Sequence, residues 1–157
     1  MSEQKHDLLI SHSQIQVRAY DFDESMCQWG KENLEQGAIL HESYVVFDPL
    51  PDDTFGAQII INFCDKFDMD KNIQRGIVTP FYIPKDSRLV VSSASESFYI
   101  DLNYSFGMHA LYYEICENDE VYYRLSFLKS SSKKSAYYLI DDPWGGVAGK
   151  PLFFGKK

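Results

Sequence analysis

Hydrophobic and polar positions alternate most regularly over residues 74–84 (QRGIVTPFYIP). Ile73, Arg75, Ile77, Thr79, Phe81 and Ile83 share one face; Gln74, Gly76, Val78, Pro80 and Tyr82 share the other. A period of two is what a pleated strand requires when one face meets a core. Pro80 has no amide hydrogen, so this strand is expected at a sheet edge or bulged at that residue. Upstream, Gly56–Cys64 (GAQIIINFC) sets Ala57, Ile59, Ile61 and Phe63 on one face of a second strand. The polar run between them, residues 65–72 (DKFDMDKN), carries three aspartates and reads as the acidic tip of a long hairpin.

The same alternation recurs along the chain. Residues 8–20 predict a strand with Ile15 and Val17 inward, residues 38–47 (AILHESYVVF) another, and residues 89–93 and 97–102 two short ones. Residues 107–116 and 121–128 flank the turn ENDE and predict a hairpin with a second acidic tip. Residues 136–140 could add a last strand. The helical candidate is residues 28–37 (QWGKENLEQG), with Trp29 and Leu34 on one face and Gly37 as a C-terminal cap; Gly30 limits it to two or three turns. Eight or nine short strands and one short helix predict a mostly β fold, an antiparallel β-sandwich, with a closed β-barrel as the alternative. Residues 1–128 form the predicted sandwich domain. Residues 129–157 read as a basic linker and an aromatic extension, carrying Trp144, Phe153 and Phe154, packed on the same domain.

Composition changes this picture little. At 157 residues with 15% aromatics, the chain suits one sheet-rich domain. No apolar run approaches the ~18 residues that cross a bilayer, and no hydrophobic signal core opens the chain, so a cytoplasmic location without membrane insertion is expected. Charge matters more. The net charge is −8: residues 1–128 carry 21 acids against nine Lys and Arg, whereas residues 129–157 carry two acids against six lysines. An acidic body argues against nucleic acid as a direct ligand, because phosphate is met by Lys and Arg. It suits a surface that competes with nucleic acid for a basic protein.

No catalytic pattern emerges, and an enzyme is not expected. Ser11, His12 and Ser13 are neighbours on a strand and point to opposite faces, and His41 and His109 fall inside predicted strands. Cys27, Cys64 and Cys116 are widely spaced, without a CxxC pair, and read as isolated thiols. Asp68, Asp70 and Asn72 have the spacing of a calcium loop but Ile73 where glycine is required; Asp21, Asp23 and Ser25 meet Met26 there. No metal or cofactor is expected.

Several stretches together resemble the competence protein J family of small bacterial inhibitors of a DNA-entry nuclease. They are LLISHSQIQV, the Trp29, Glu32 and Gly37 segment, GAQIIINF, RGIVTPFYIP and SFYIDLNYSFGMHALYYE, in order over residues 8–116, with TPFYIP the most specific. The segment from about residue 117 looks longer than the family's ending. The resemblance implies a protein that binds and silences a non-specific, metal-dependent nuclease, in competence or as an immunity protein. It transfers no inhibitory motif. Charge alone nominates the partner-binding residues: Asp48, Asp52 and Asp53; Asp65, Asp68 and Asp70 at the first tip; Glu117, Asp119 and Glu120 at the second. Charge reversal at Asp68 and Asp70 is expected to abolish binding without lowering stability. The alternative is a carbohydrate- or small-ligand-binding sandwich that uses Tyr112, Tyr122 or Trp144.

Overall fold

The computed structural model describes residues 2–10, 14–50, 56–130 and 135–157. Its described strands are β1 (Ser2–Leu9), β2 (Ile15–Arg18), β3 (Ala38–Leu40), β4 (Tyr44–Phe47), β5 (Gly56–Cys64), β6 (Ile73–Ile83), β7 (Val90–Ser92), β8 (Ser97–Tyr99), β9 (Gly107–Glu117), β10 (Val121–Lys129) and β11 (Tyr137–Tyr138). They form a six-stranded sheet, β1-β5-β10-β9-β6-β11, and a five-stranded sheet, β3-β4-β2-β7-β8. Both sheets are open, so the fold is the expected sandwich and not a barrel.

The alternating faces explain the core. Ile59, Ile61, Ile77, Phe81, Leu111, Tyr113, Leu125 and Phe127 project from the larger sheet onto Ile15, Val17, Leu40, Val45, Phe47 and Val91 of the smaller. Phe47 stacks on Tyr113 across the layers at 4.0 Å. Each such fully buried side chain contributes roughly 1.5–3 kcal/mol.

Several expectations change. Residues 38–47 are two strands, β3 and β4, paired as a hairpin, so His41 lies in a turn with its Nε2 3.3 Å from the Met26 carbonyl. The helix α1 spans only Lys31–Gln36 and leaves Leu34 exposed; its buried residues are the polar Asn33 and Gln36. Gly37 does cap it, at φ 81°, and a Cβ there would lie 2.5 Å from the Arg75 guanidinium. Residues 2–7, unassigned in the sequence, form most of β1. Ser11, His12 and Ser13 lie outside the described residues.

The largest change concerns β5 and β6. They are not a hairpin: β10 and β9 lie between them. β5 pairs with β10 in parallel, and β10, β9 and β6 alternate in direction, so β5 and β6 run the same way. Residues 65–72 must therefore return from the level of Leu128, opposite Cys64, to that of Tyr122, opposite Cys116 and Ile73. That diagonal is roughly 24 Å at ordinary strand spacings, within the roughly 30 Å that the chain from Cys64 to Ile73 can span. The hairpin reading failed because apolar periodicity specifies faces and not neighbours.

Pro80 follows the same logic. Tyr82 N donates to Glu42 O, and Gly76 O accepts from Leu139 N, so the even-numbered backbone groups of β6 face away from β9. Pro80 lies in that row, beyond the two-residue β11, where no ladder bond is lost. The bulge in β6 falls at Ile73/Arg75 instead.

Residues 135–157 run along one side of the sandwich. β11 pairs with β6, Leu152 N donates to Ala136 O, and Gly155 N donates to Leu40 O of β3. The segment thus bridges the edges of both sheets. Trp144, Phe153 and Phe154 stay partly exposed; the buried apolar side chains are Ala136, Tyr138 and Leu152. On the other side, Gln4 of β1 donates to Tyr99 O and accepts from Asp101 N, and His6 stacks on Phe98.

Candidate protein-binding site

The crossover 65–72 lies across the outer face of the larger sheet, and named contacts fasten it. Phe67 stacks on Tyr112 at 3.9 Å. Arg124, projecting outward from β10, donates to Asp68 O at 3.3 Å and to Glu114 Oε1 at 2.8 Å, with Asp70 Oδ2 at 3.8 Å. Glu114 Oε2 accepts the Asp70 amide at 2.8 Å. Asp70 Oδ1 accepts from Tyr122 OH and from the Asn72 amide, and Asn72 Nδ2 donates to Tyr122 OH. Two carboxylates thus share one guanidinium. Burial pushes the Glu114 carboxyl up, and the Asp70 amide and Arg124 offset this only in part.

The spacing of Asp68, Asp70 and Asn72 therefore serves a turn: Asp70 bonds the amide two residues on. Asp23 does the same, accepting from Ser25 N and Oγ at the start of the 3-10 turn Glu24–Cys27. Among the described residues, no group of three or more His, Cys, Asp or Glu gathers to hold a metal.

The crossover ends beside the β9–β10 turn, where Glu117 N donates to Asn72 O at 3.1 Å. Glu117, Asn118, Asp119 and Glu120 are all exposed. A groove of about 850 Å³ runs along one side of this turn and includes Asp7, Leu9, Glu96, Asp119 and Glu120. A second, of about 480 Å³, runs along the other and includes Asp68, Asp70, Asn118, Tyr122 and Arg124. The two nominated tips meet. Asp48 lies at the same end, because Tyr113 and Tyr123 donate to the Asp48 and Pro49 carbonyls. It is half-buried, and its Oδ1 accepts from Leu50 N.

One nominated residue stands apart. Asp65 lies at the opposite end of the sandwich, in a groove with His109 and Lys129. Asp52 and Asp53 lie outside the described residues. Two acids at the grooves were not anticipated. Asp7 required β1 to be recognised as a strand. Glu96, which accepts the Leu9 amide at 2.6 Å, sits in a serine-rich turn with no periodic signal.

The remaining chemistry is quiet. Burial raises the thiols of Cys27, Cys64 and Cys116, the opposite of activation. Burial also lowers His109, whose Nδ1 is 2.9 Å from Gly107 O. Tyr112 lies under Phe67, Tyr122 is tied to Asp70 and Asn72, and Trp144 is exposed beside Arg75, with the guanidinium 6.0 Å from its ring.

Comparison with known proteins identifies the family. The model of the family described as Competence protein J (ComJ) matches residues 7–128. The chain belongs to this family. Among solved structures it is similar to the crystal structure of ComJ, inhibitor of the DNA-degrading activity of NucA, from Bacillus subtilis. That match has a TM-score of 0.67 at 16% identity and covers 81% of this chain and 96% of that one. No curated protein matches the chain. The family model runs on to residue 128, so the segment it leaves unmatched begins at residue 129 and not at about residue 117.

Proposed function

We propose that this chain, as a member of the competence protein J family, is a protein inhibitor that binds and neutralises a bacterial DNA nuclease, without catalysis of its own. Family membership, together with the fold of an inhibitor of NucA's DNA-degrading activity, carries the reading. The acidic end supports it physically. A nuclease that grips DNA presents Lys and Arg to phosphate. Asp68, Glu117, Asp119 and Glu120, with Asp7 and Glu96 in the adjoining groove, present carboxylates to the same cations. Complementary charge steers such an encounter and makes its rate fall with salt. The same charge repels DNA from this end. Asp48, Asp52 and Asp53 extend the set, and Asp65, at the far end, belongs to it least. The encounter takes place in the cytoplasm.

The test is a DNA-degradation assay with the nuclease encoded nearest to this protein's gene. Stoichiometric protection that weakens with salt is expected; no protection at excess protein would overturn the reading.

A further inference from the structure

The chain has four arginines. Arg75 and Arg124 are paired with carboxylates. Among the described residues, Arg18 and Arg88 make no ion pair. Both line one groove of about 440 Å³ on the outer face of the smaller sheet, away from the crossover. That two of four arginines meet there, in a protein of charge −8, calls for a physical reason.

The strand register builds this groove. Arg18 of β2 is opposite Val90 of β7, which is opposite Tyr99 of β8. Residues opposite one another share a face, so Arg18 and Tyr99 stand on the same surface two strands apart, roughly 10 Å. Arg88 lies over the Tyr99 ring, its guanidinium carbon 3.7 Å from the centroid. Arg18 Nη1 donates to Tyr20 O at 2.8 Å and its Nε to Gln16 Oε1 at 3.3 Å, which holds the guanidinium and the Tyr20–Phe22 loop in one arrangement. Tyr20, Phe22 and Tyr99 are 56%, 59% and 51% exposed. Arg88 covers one face of Tyr99, and Tyr20 and Phe22 leave aromatic surface exposed beside that pair.

We propose that this groove binds a nucleotide unit, an aromatic base carrying a phosphate, either free or within single-stranded DNA. The phosphate is held between Arg18 and Arg88, as guanidinium forks suit its oxygens. The base stacks on the exposed rings, a contact every base can make. Asp21 also lines the groove. The size fits a small ligand. An uncharged sugar would bring no counter-charge to the two guanidinium groups, and duplex DNA hides its base faces. The net charge does not forbid this: the groove's lining sets two arginines against one carboxylate, Asp21, and carboxylates beyond about 10 Å are screened at ordinary salt. The site is independent of the inhibitory reading and lies on the other sheet.

The experiment is calorimetric titration of the full chain with deoxyadenosine monophosphate, adenosine, inorganic phosphate, a short thymidylate strand, duplex DNA and a polyglutamate peptide. The monophosphate or the strand should bind at least tenfold more tightly than adenosine, phosphate or duplex, and added salt should weaken it. The exposed-residue variant Arg88→Gln should lose at least tenfold while still protecting DNA from the nuclease. Binding of the monophosphate identifies a free nucleotide as sufficient; binding of the strand alone identifies single-stranded DNA as the source. Silence of both at millimolar concentration overturns the proposal, as does binding that Arg88→Gln leaves unchanged. Binding of polyglutamate with both nucleotides silent overturns it in favour of an acidic protein.

Discussion

The crossover 65–72 and, apart from β11, most of the C-terminal segment 135–157 lie outside the sheets, and an arginine fastens each. In the C-terminal segment, Arg75 meets Asp142 through two bonds, Nε at 2.8 Å and Nη2 at 3.1 Å, and donates from Nη1 to Gln36 O. Both side chains are buried. Burial alone would raise the Asp142 carboxyl; Arg75 and the Gly146 and Trp144 amides overcome it and hold the group below its ordinary range. In the crossover one guanidinium serves two carboxylates, and Glu114 is raised instead. The C-terminal lock is balanced in charge; the crossover keeps a surplus negative charge, beside the proposed binding end. One segment is fixed for stability, and the other keeps negative charge where a basic partner would use it.

The largest expected effect tests the lock. Arg75→Ala strands Asp142 in the interior and should cost roughly 3–5 kcal/mol, read by denaturant unfolding. A cost below about 1 kcal/mol would make the two fastenings equivalent. Asn33→Ala comes next. Asn33 Oδ1 accepts from Gly30 N and Lys157 N, and its Nδ2 donates to Gly155 O. Losing it should cost about 1–3 kcal/mol and speed amide exchange at residues 155–157. Unchanged exchange there would show that the chain end is held otherwise.

Titration separates the two carboxylates by sign. Asp142 binds its proton less readily folded than unfolded, so its contribution is present above the ordinary carboxylate range and lost as pH falls through the folded value. Glu114 is the reverse: its raised folded value makes stability fall as pH rises from the ordinary range through that value. Glu114→Gln should therefore gain on the wild type as pH rises from the ordinary carboxylate range towards neutral, seen in paired thermal melts. A variant that loses ground over that interval would mean the crossover is as well balanced as the lock. The smallest stability effect belongs to the exposed turn. Asp119→Lys and Glu120→Lys should each change stability by no more than about 0.5 kcal/mol and should weaken binding to the nuclease.

Strand faces were legible because alternation reports which side meets the core: Ile77, Phe81, Ile83, Ile59, Ile61, Ile15 and Val17 were assigned by it, whereas the bulge at Ile73/Arg75 turns Ile73 to the outer face beside Gly76. Neighbours were not, because nothing in residues 65–72 distinguishes a hairpin tip from a crossover. Asp70 shows the consequence. Read as a solvated tip, it is instead held by Tyr122, Asn72 and Arg124, so charge reversal at Asp70 would disturb the fold as well as binding. Asp68 remains exposed and usable. Asn33 and Gln36 were illegible for a related reason: the helix buries its polar face because backbone groups of the C-terminal segment, more than a hundred residues later, supply the partners. The joining of the 117–120 turn to the crossover through Glu117 and Asn72 is likewise a long-range fact.

The central claim is that the acidic end silences a nuclease, and charge reversal there tests it most directly. DNA degradation by the neighbouring nuclease is titrated with the wild-type chain and with the Glu117→Lys, Asp119→Lys, Glu120→Lys triple variant, after matching thermal melts establish that both are folded. Protection by the wild type at one equivalent, lost in the variant, is the predicted result. Full protection by the variant would contradict the account and move the inhibitory surface elsewhere on the sandwich.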